Sequence, residues 1–434
     1  MDLVFAVVPA LDGPEARALW RIDNVFMIAA DCADEAGWRQ IAEVHQAAVG
    51  EVDVMVHCPS EHGDDAKRIL RSNWLALQHS HRFMAKHGGG TMVIACRAPT
   101  RGVFAPALDA ALAGTRLSAT AAILDAMKVG LAPRCNRLVF DDDVAEGPFR
   151  ASLAALVDDR SSFMTGGELL LSGSAGSDDT RLSGKTILVT GATSGIGRAT
   201  AVEIGRLGGF VAVGGRKPKL ADETLALVRA TGGDGMVVPL DVTDPAAWSQ
   251  AVDAVMAACG ALHGLVNNAG EARNKPIAAL TAADFDFLTG INLMGTMLGI
   301  DACCEALAAS GGGAIVNIAS VAGIRAAPGG SAYGASKAAV IGLSQSYARA
   351  EGNARGVRIN ALQPGLIWSD SVADSLGEEG AAAFRAMIEP KTPLGRVGAP
   401  DEIGRMVAFL LSDAAAPISG QAISVSGGLE FNLP

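Results

Sequence analysis

Lys185-Thr-Ile-Leu-Val-Thr190-Gly191-Ala-Thr193-Ser194-Gly195-Ile196-Gly197-Arg198-Ala-Thr-Ala-Val-Glu-Ile204 runs from a short β-branched stretch through a glycine-rich turn into a helical pattern. Glycines at a strand-to-helix junction allow a tight turn and close approach of a pyrophosphate to the main chain. The N-terminus of the following helix then holds the negative charge. The spacing is GxxxGxG rather than GxGxxG, so the strand–turn–helix context carries the reading. Gly191, Thr193, Ser194, Gly195, Ile196 and Gly197 are expected to line a dinucleotide site.

Outward from this turn the pattern repeats. Apolar runs at 186–190, 210–214, 236–240, 262–266, 313–319, 357–362 and 422–425 are short, rich in β-branched residues, and separated by segments of helical length. Such alternation implies an α/β fold, a doubly wound parallel sheet with helices on both faces. After the second run stands Val211-Ala-Val-Gly-Gly-Arg216-Lys217. An acidic residue there would bond the ribose of NAD, whereas arginine accommodates the extra phosphate of NADP, so NADP is the expected cofactor, with NAD the alternative. Asp241-Val242 ends the third run, where adenine would lie, and Asn268-Ala269-Gly270 ends the fourth, lining the cleft.

Ser320 closes the fifth run, and Tyr333-Gly-Ala-Ser-Lys337 follows a turn containing Gly and Pro. On a helix, positions i and i+4 share a face, so the phenol and the ammonium can point into one site. A fixed positive charge favours the phenolate, which is expected to bring Tyr333 toward a useful pKa for acid–base work. Past Pro364-Gly365, the segment from Leu366 to Thr392 is placed to close over a ligand. Trp368, Phe384, Met387 and Ile388 within it hint at an apolar substrate.

The chain has 434 residues, enough for two domains. A small, polar stretch between Leu171 and Lys185 reads as a linker, which separates domains at 1–175 and 182–434. The halves read as copies. Asp31, Trp38 and Val52–His57 match Asp241, Trp248 and Leu262–Asn267 without a gap; Gly88–Arg97 matches Gly311–Ser320; Phe163-Met-Thr-Gly parallels Pro417-Ile-Ser-Gly. Under this pairing Ser320 faces Arg97, Tyr333 faces Ala110 and Lys337 faces Gly114. The first copy also has Pro9-Ala-Leu-Asp-Gly13-Pro14 where the glycine-rich turn would be, so it is expected to keep the fold without the reaction.

Taken together, Thr-Gly-x-x-x-Gly-x-Gly, Asp-Val, Asn-Asn-Ala-Gly, Asn292, Ser320, Tyr333-x-x-x-Lys337 and Pro364-Gly365 resemble the short-chain dehydrogenase/reductase family across residues 182–434. The resemblance implies a Rossmann-like fold, a nicotinamide cofactor, and a tetrad of Asn292, Ser320, Tyr333 and Lys337. By the same resemblance Tyr333 and Lys337 contact the cofactor, as do Pro364, Gly365, Ile367 and Ser369. Asn292 supports a water that links Lys337 to solvent. Ser369 replaces a frequent threonine and Ser426 a frequent aspartate. The tandem form is similar to high-molecular-weight 3-oxoacyl-thioester reductases of the family, and Arg273 and Lys275 resemble, weakly, residues of acyl-carrier reductases.

The expected activity is hydride transfer interconverting a carbonyl and a secondary alcohol. The alternatives are an epimerase or dehydratase on the same cofactor, or a nicotinamide-sensing regulator. A net charge of −11 argues against nucleic acid or anionic membranes as partners. No run is read as long enough to span a membrane. The seven cysteines form no CxxC pair and are read as reduced thiols of a cytoplasmic protein. His57, His79, His81 and His87 are spaced too irregularly for a metal, so none is expected. A homodimer is expected in which the first copies act as pseudo-subunits; binding of a partner or carrier protein by the first half is the alternative.

Overall fold

The structure, a computed structural model, describes residues 4–8, 25–29, 41, 54–58, 71–80, 90–97, 106–128, 130–141, 143–325 and 327–431. Two compact units emerge. Unit 1 is Met1–Asp178 with Pro393–Gly395 and Ala414–Pro417; unit 2 is Asp179–Thr392, Arg396–Asp413 and Ile418–Pro434.

Unit 1 contains β1 (Val4–Val8), β2 (Val25–Ala29), β3 (Val54–His57), β4 (Thr91–Arg97), β5 (Arg134–Phe140) and β6 (Glu168–Leu171), in the all-parallel order β2-β1-β3-β4-β5-β6. Unit 2 contains β7 (Thr186–Thr190), β8 (Phe210–Gly215), β9 (Asp234–Pro239), β10 (Gly264–Asn267), β11 (Gly313–Ile318), β12 (Val357–Pro364) and β13 (Ala422–Val425), in the order β13-β12-β11-β10-β7-β8-β9. All seven apolar runs of the second half are strands. The chain crosses the sheet at β7/β10, where connections leave in opposite directions and a crevice opens at the carboxyl ends. The core of unit 2 is aliphatic: Leu188, Val238, Leu265, Ile315 and Ile359 pack with Ile300, Cys303 and Leu307 around the buried Trp248.

The strand order of unit 1 equals that of unit 2, with no counterpart of β9 among the described residues, and internal details agree. Val54 pairs with Thr91 as Gly264 pairs with Ala314, and Thr91 pairs with Arg134 as Ala314 pairs with Arg358. Asn136 Nδ2 donates to Met164 O at 3.0 Å and its Oδ1 accepts from Gly167 N at 3.1 Å; Asn360 Nδ2 donates to Ile418 O at 2.9 Å and its Oδ1 accepts from Gln421 N at 3.1 Å.

Along the helices the expected pairing shifts by two residues. Asn73 Nδ2 donates to Thr115 Oγ1 at 2.9 Å as Asn292 Nδ2 does to Ser336 Oγ at 3.0 Å, and buried positions 115, 119 and 123 match 336, 340 and 344. Leu112 and Arg116, rather than Ala110 and Gly114, therefore take the register of Tyr333 and Lys337. An ungapped alignment cannot see this, because the turns before the two helices differ in length. The expectations on Asp31, Trp38, the 9–14 turn, His81 and His87 lie outside the described residues.

The membrane reading needs correction. Among the described residues one helical run, Ala282–Ala309, is long and apolar enough to cross a membrane by length and composition alone. A π-turn at Gly290–Met294 joins the helices Ala282–Thr289 and Gly295–Ala309 into one run. Half of the apolar window is buried, and Ile300, Cys303 and Leu307 within it face the core. The six described cysteines are free thiols, five of them buried.

Candidate active site

A cavity of about 870 Å³ opens at the strand ends of unit 2. At one end lies the glycine-rich turn. Gly191 and Gly195 have φ of 61° and 52°, the left-handed region that glycine adopts without cost. A Cβ on Gly191 would lie 2.9 Å from Ala269 Cα, and one on Gly197 would overlap the Gly191 carbonyl. The helix Gly195–Arg206 starts here with its first N–H groups directed at the turn. Thr190, which sequence reasoning did not single out, and the anticipated Asn268 stitch the turn to β10. Thr190 Oγ1 accepts from Asn268 N at 2.9 Å and Ala269 N at 3.0 Å, and donates to Val266 O at 3.2 Å. The Asn268 amide in turn donates to Thr190 O at 3.0 Å and Gly191 O at 3.2 Å. Asn268 thus borders the cavity mainly as a brace for the turn. The threonine before the first glycine was the signal available for Thr190.

Thr193, Ser194, Ile196, Arg216, Asp241, Val242, Ala269 and Gly270 also line the cavity, as do Pro364, Gly365, Ile367 and Ser369. Gly197 and Asn292 stand just behind it. Arg216 is 61% exposed, with its guanidinium 3.9 Å from Asp241. Asp241 is held below the usual carboxylate range by hydrogen bonds from Thr243 N and Oγ1 and, less, by Arg216. Arg198, a further residue missed, donates to Thr193 O at 2.7 Å and to Thr224 Oγ1 at 3.1 Å, tying the turn to the helix Pro218–Ala230 that follows Arg216. Ser369 Cβ would stand 3.7 Å from a Cβ on Gly195, so the segment after β12 reaches across to the turn.

The reacting end is built by β11 and the helix Ser331–Tyr347. Ser320 stands two residues past the end of β11 and caps the turn Val321–Gly323, accepting from Ala322 N at 3.1 Å. Glycines bring that turn onto the helix: a Cβ on Gly323 would lie 2.8 Å from Ala338 N. Tyr333 and Lys337 share the helix face, and Ser320 lines the same cavity as both. Burial pushes the phenol above its ordinary value, and this outweighs the opposing influence of Ser320. The expected lowering by Lys337 is therefore corrected. The ammonium lies 6.0 Å from the ring centroid and donates instead to Ile318 O at 2.8 Å. Lys337 itself is brought down to about 8 by burial. Asn292, in the π-turn, accepts from Glu271 N at 2.8 Å and donates to Glu271 O at 2.9 Å and to Ser336 Oγ. A Cβ on Gly270 would lie 3.0 Å from Asn292 Oδ1 and 3.2 Å from Lys337 Nζ, so glycine lets the chain pass close to both groups.

Of the anticipated apolar lid residues, Ile388 lines the cavity, joined by Val372; Trp368, Phe384 and Met387 do not. The helix Asp370–Ile388 breaks at Gly377, φ 67°, which turns its faces out of simple register. Ser426 stands where a carboxylate is frequent in the family it resembles. Its hydroxyl donates to the buried carboxylate of Glu430, four residues on.

The residues present fit a dinucleotide: a glycine cradle that any Cβ would fill, a helix N-terminus for the pyrophosphate, basic side chains at the far end, and a hydroxyl, phenol and ammonium at the near end. Fold and site define a dinucleotide-dependent α/β enzyme. Residues 191–430 match the family model described as enoyl-(acyl carrier protein) reductase. The chain is 36% identical over 251 residues to a 3-oxoacyl-(acyl-carrier-protein) reductase of Thermotoga maritima, covering 57% of this chain and 99% of that protein. Among solved structures, a gluconate 5-dehydrogenase from Burkholderia cenocepacia in complex with NADP and tartrate gives a TM-score of 0.55 at 32% identity over 58% of this chain and 97% of that one. A 7α-hydroxysteroid dehydrogenase complexed with NADH and 7-oxo glycochenodeoxycholic acid gives 0.55 at 29% identity over 58% and 96%. The chain belongs to the short-chain dehydrogenase/reductase family and is an enzyme of it.

Proposed function

We propose that unit 2 interconverts a carbonyl and a secondary alcohol with NADP(H), and that 3-oxoacyl thioesters are among its candidate substrates. The carrying observation is that one cavity joins the glycine-rich turn to Ser320, Tyr333 and Lys337. When bound, the dinucleotide supplies or accepts the hydride. Ser320 Oγ hydrogen-bonds the substrate oxygen, and the Tyr333 phenol gives that oxygen its proton in reduction or takes it in oxidation. A phenol held protonated by burial suits the donor role in reduction. Lys337, anchored by Ile318 O, binds the nicotinamide ribose and replenishes the proton; Asn292 keeps the Glu271 segment and Ser336 in place behind it. Arg216 and Lys217 take the 2′-phosphate of NADP, which favours NADP over NAD.

We infer further that unit 1 is a degenerate copy without catalysis. Its sheet order and strand hydrogen bonds follow those of unit 2, and both tyrosines of the chain, Tyr333 and Tyr347, lie in unit 2. Two chains would then pair as a four-unit assembly in which the first units act as pseudo-subunits.

The test is cofactor consumption by the full chain with a panel of ketones, steroids, sugars and 3-oxoacyl thioesters, each with NADPH and with NADH. NADPH is expected to have the higher kcat/KM, and Arg216→Ala to erode that preference. Tyr333→Phe is expected to lose about 10²-fold or more of kcat while still binding cofactor. Near-normal turnover by Tyr333→Phe would sink the acid–base assignment, and a strong NADH preference the cofactor assignment.

A further inference from the structure

Resting on that oxidoreductase reading, we infer that the substrate is an uncharged carbonyl compound, or its secondary alcohol, with apolar groups flanking the reacting carbon. Carbonyl compounds that carry a carboxylate or phosphate beside the reacting carbon are rejected. The two ends of the cavity differ in charge. Among the described lining residues the cations are Arg216, Lys217 and Lys337. The first two belong to the end away from Tyr333, and the third is buried and donates to Ile318 O. Beside Ser320 and Tyr333 the lining includes the aliphatic Val321, Ala322, Leu366, Val372, Ile388 and Leu429, with the amide of Asn274 as a neutral polar group. The one carboxylate there is Glu271.

Three basic residues near this end in sequence are engaged elsewhere, and a fourth, Arg325, is exposed and stands outside the cavity lining. Lys275 Nζ lies 2.8 Å and Arg273 Nη1 3.4 Å from the Asp284 carboxylate, and the Arg273 guanidinium also stacks 3.6 Å from the Phe287 ring centroid. Asp284 is held well below the usual carboxylate range, chiefly by the Lys275 bond, so it stays charged and keeps both cations. Arg385 pairs with Glu389 at 2.7 Å beside Trp368. None of the three lines the cavity. A substrate carboxylate entering this end would meet the exposed Glu271 carboxylate and find, among the described lining residues there, one cation, Lys337, already bonded to Ile318 O. A neutral ketone loses little and gains apolar contact with Val321, Leu366 and Leu429.

The experiment uses the full chain with NADPH and matched ketone pairs: ethyl 3-oxohexanoate against 3-oxohexanoate, and cyclohexanone against 4-oxocyclohexanecarboxylate. The neutral member of each pair is expected to have a kcat/KM higher by about 10²-fold or more, the scale of a charge left without a compensating partner. Glu271→Gln, which removes the repulsion, and Leu429→Arg, which supplies a cation, are each expected to narrow the ratio. A charged member that wins in the unmodified enzyme overturns the inference alone, as does a ratio that neither variant moves. If no pair consumes NADPH, the oxidoreductase reading falls and takes the inference with it.

Discussion

At the scale of single residues, Lys337 carries the clearest energetic signature. It is buried, and its ammonium has one fixed acceptor, the Ile318 carbonyl at 2.8 Å. Burial disfavours the charged form, so the native value falls to about 8 from the ordinary 10.5. Between those two values the unfolded chain holds a proton that the native chain has released, and native stability therefore rises with pH across that window. Denaturant unfolding from below pH 8 to above 10 should show the unmodified protein gaining on Lys337→Met as pH rises. A pH-independent difference between the two would remove the claim that this lysine is stored in a low-dielectric site. The spacing of Tyr333 and Lys337 was legible in the sequence, because i and i+4 share a helix face. The sign of the phenol's shift was not, since it depends on how deeply β11 and the turn after Ser320 bury the ring, and on where the ammonium points.

At the scale of elements, glycine packing decides how closely the turns approach. The glycine-rich turn is held by Thr190 and Asn268 against β10, and Gly197 sits where any Cβ meets the Gly191 carbonyl, which cannot swing away. By contrast Gly342, inside the helix Ser331–Tyr347, has open space where a Cβ would go. Gly197→Ala is expected to cost about 1–3 kcal/mol through overpacking and to weaken NADPH binding measured by titration calorimetry. Gly342→Ala should stabilise by about 0.5–1 kcal/mol, since a helix-interior glycine loses more backbone entropy on folding than alanine does. Equal effects of the two substitutions on Tm would mean that close approach at the turn is not what fixes Gly197. The alternation of strand and helix, and the glycine-rich turn itself, were readable because period and composition are local. The braces were not: Asn268 to Gly191, Arg198 to Thr193 and Asn292 to Ser336 join segments far apart in sequence or hidden by a turn, and the π-turn at Gly290 leaves no compositional mark.

At the scale of the whole molecule, two sheets of matching strand order have different cores. At the position where unit 2 pairs Ala361 with Ala422 across β12 and β13, unit 1 pairs Arg137 with Glu168 across β5 and β6. Those two side chains form an ion pair in which Arg137 is almost fully buried. Asn317, which donates to Ser344 in unit 2, corresponds in register to Ile94, and Ile94 and Ile123 are both buried in unit 1. Ordered matches along the sequence motivate the repeat that we propose, but these exchanges, and the two-residue shift along the helix, needed the register of the strands. If unit 1 is a scaffold without a nucleotide site, the full chain binds one dinucleotide. Native mass spectrometry with NADPH should then find one cofactor per chain and an even number of chains, as the pseudo-subunit arrangement requires. Glu168→Ala leaves the Arg137 guanidinium buried without its partner, a loss of about 3 kcal/mol or more where one member of a buried pair is removed. It should lower the unfolding transition while the NADPH stoichiometry of the folded protein stays at one. Two cofactors per chain, or a loss of NADPH binding on Glu168→Ala at temperatures where the chain remains folded, would mean that unit 1 holds a nucleotide site of its own or completes the one in unit 2.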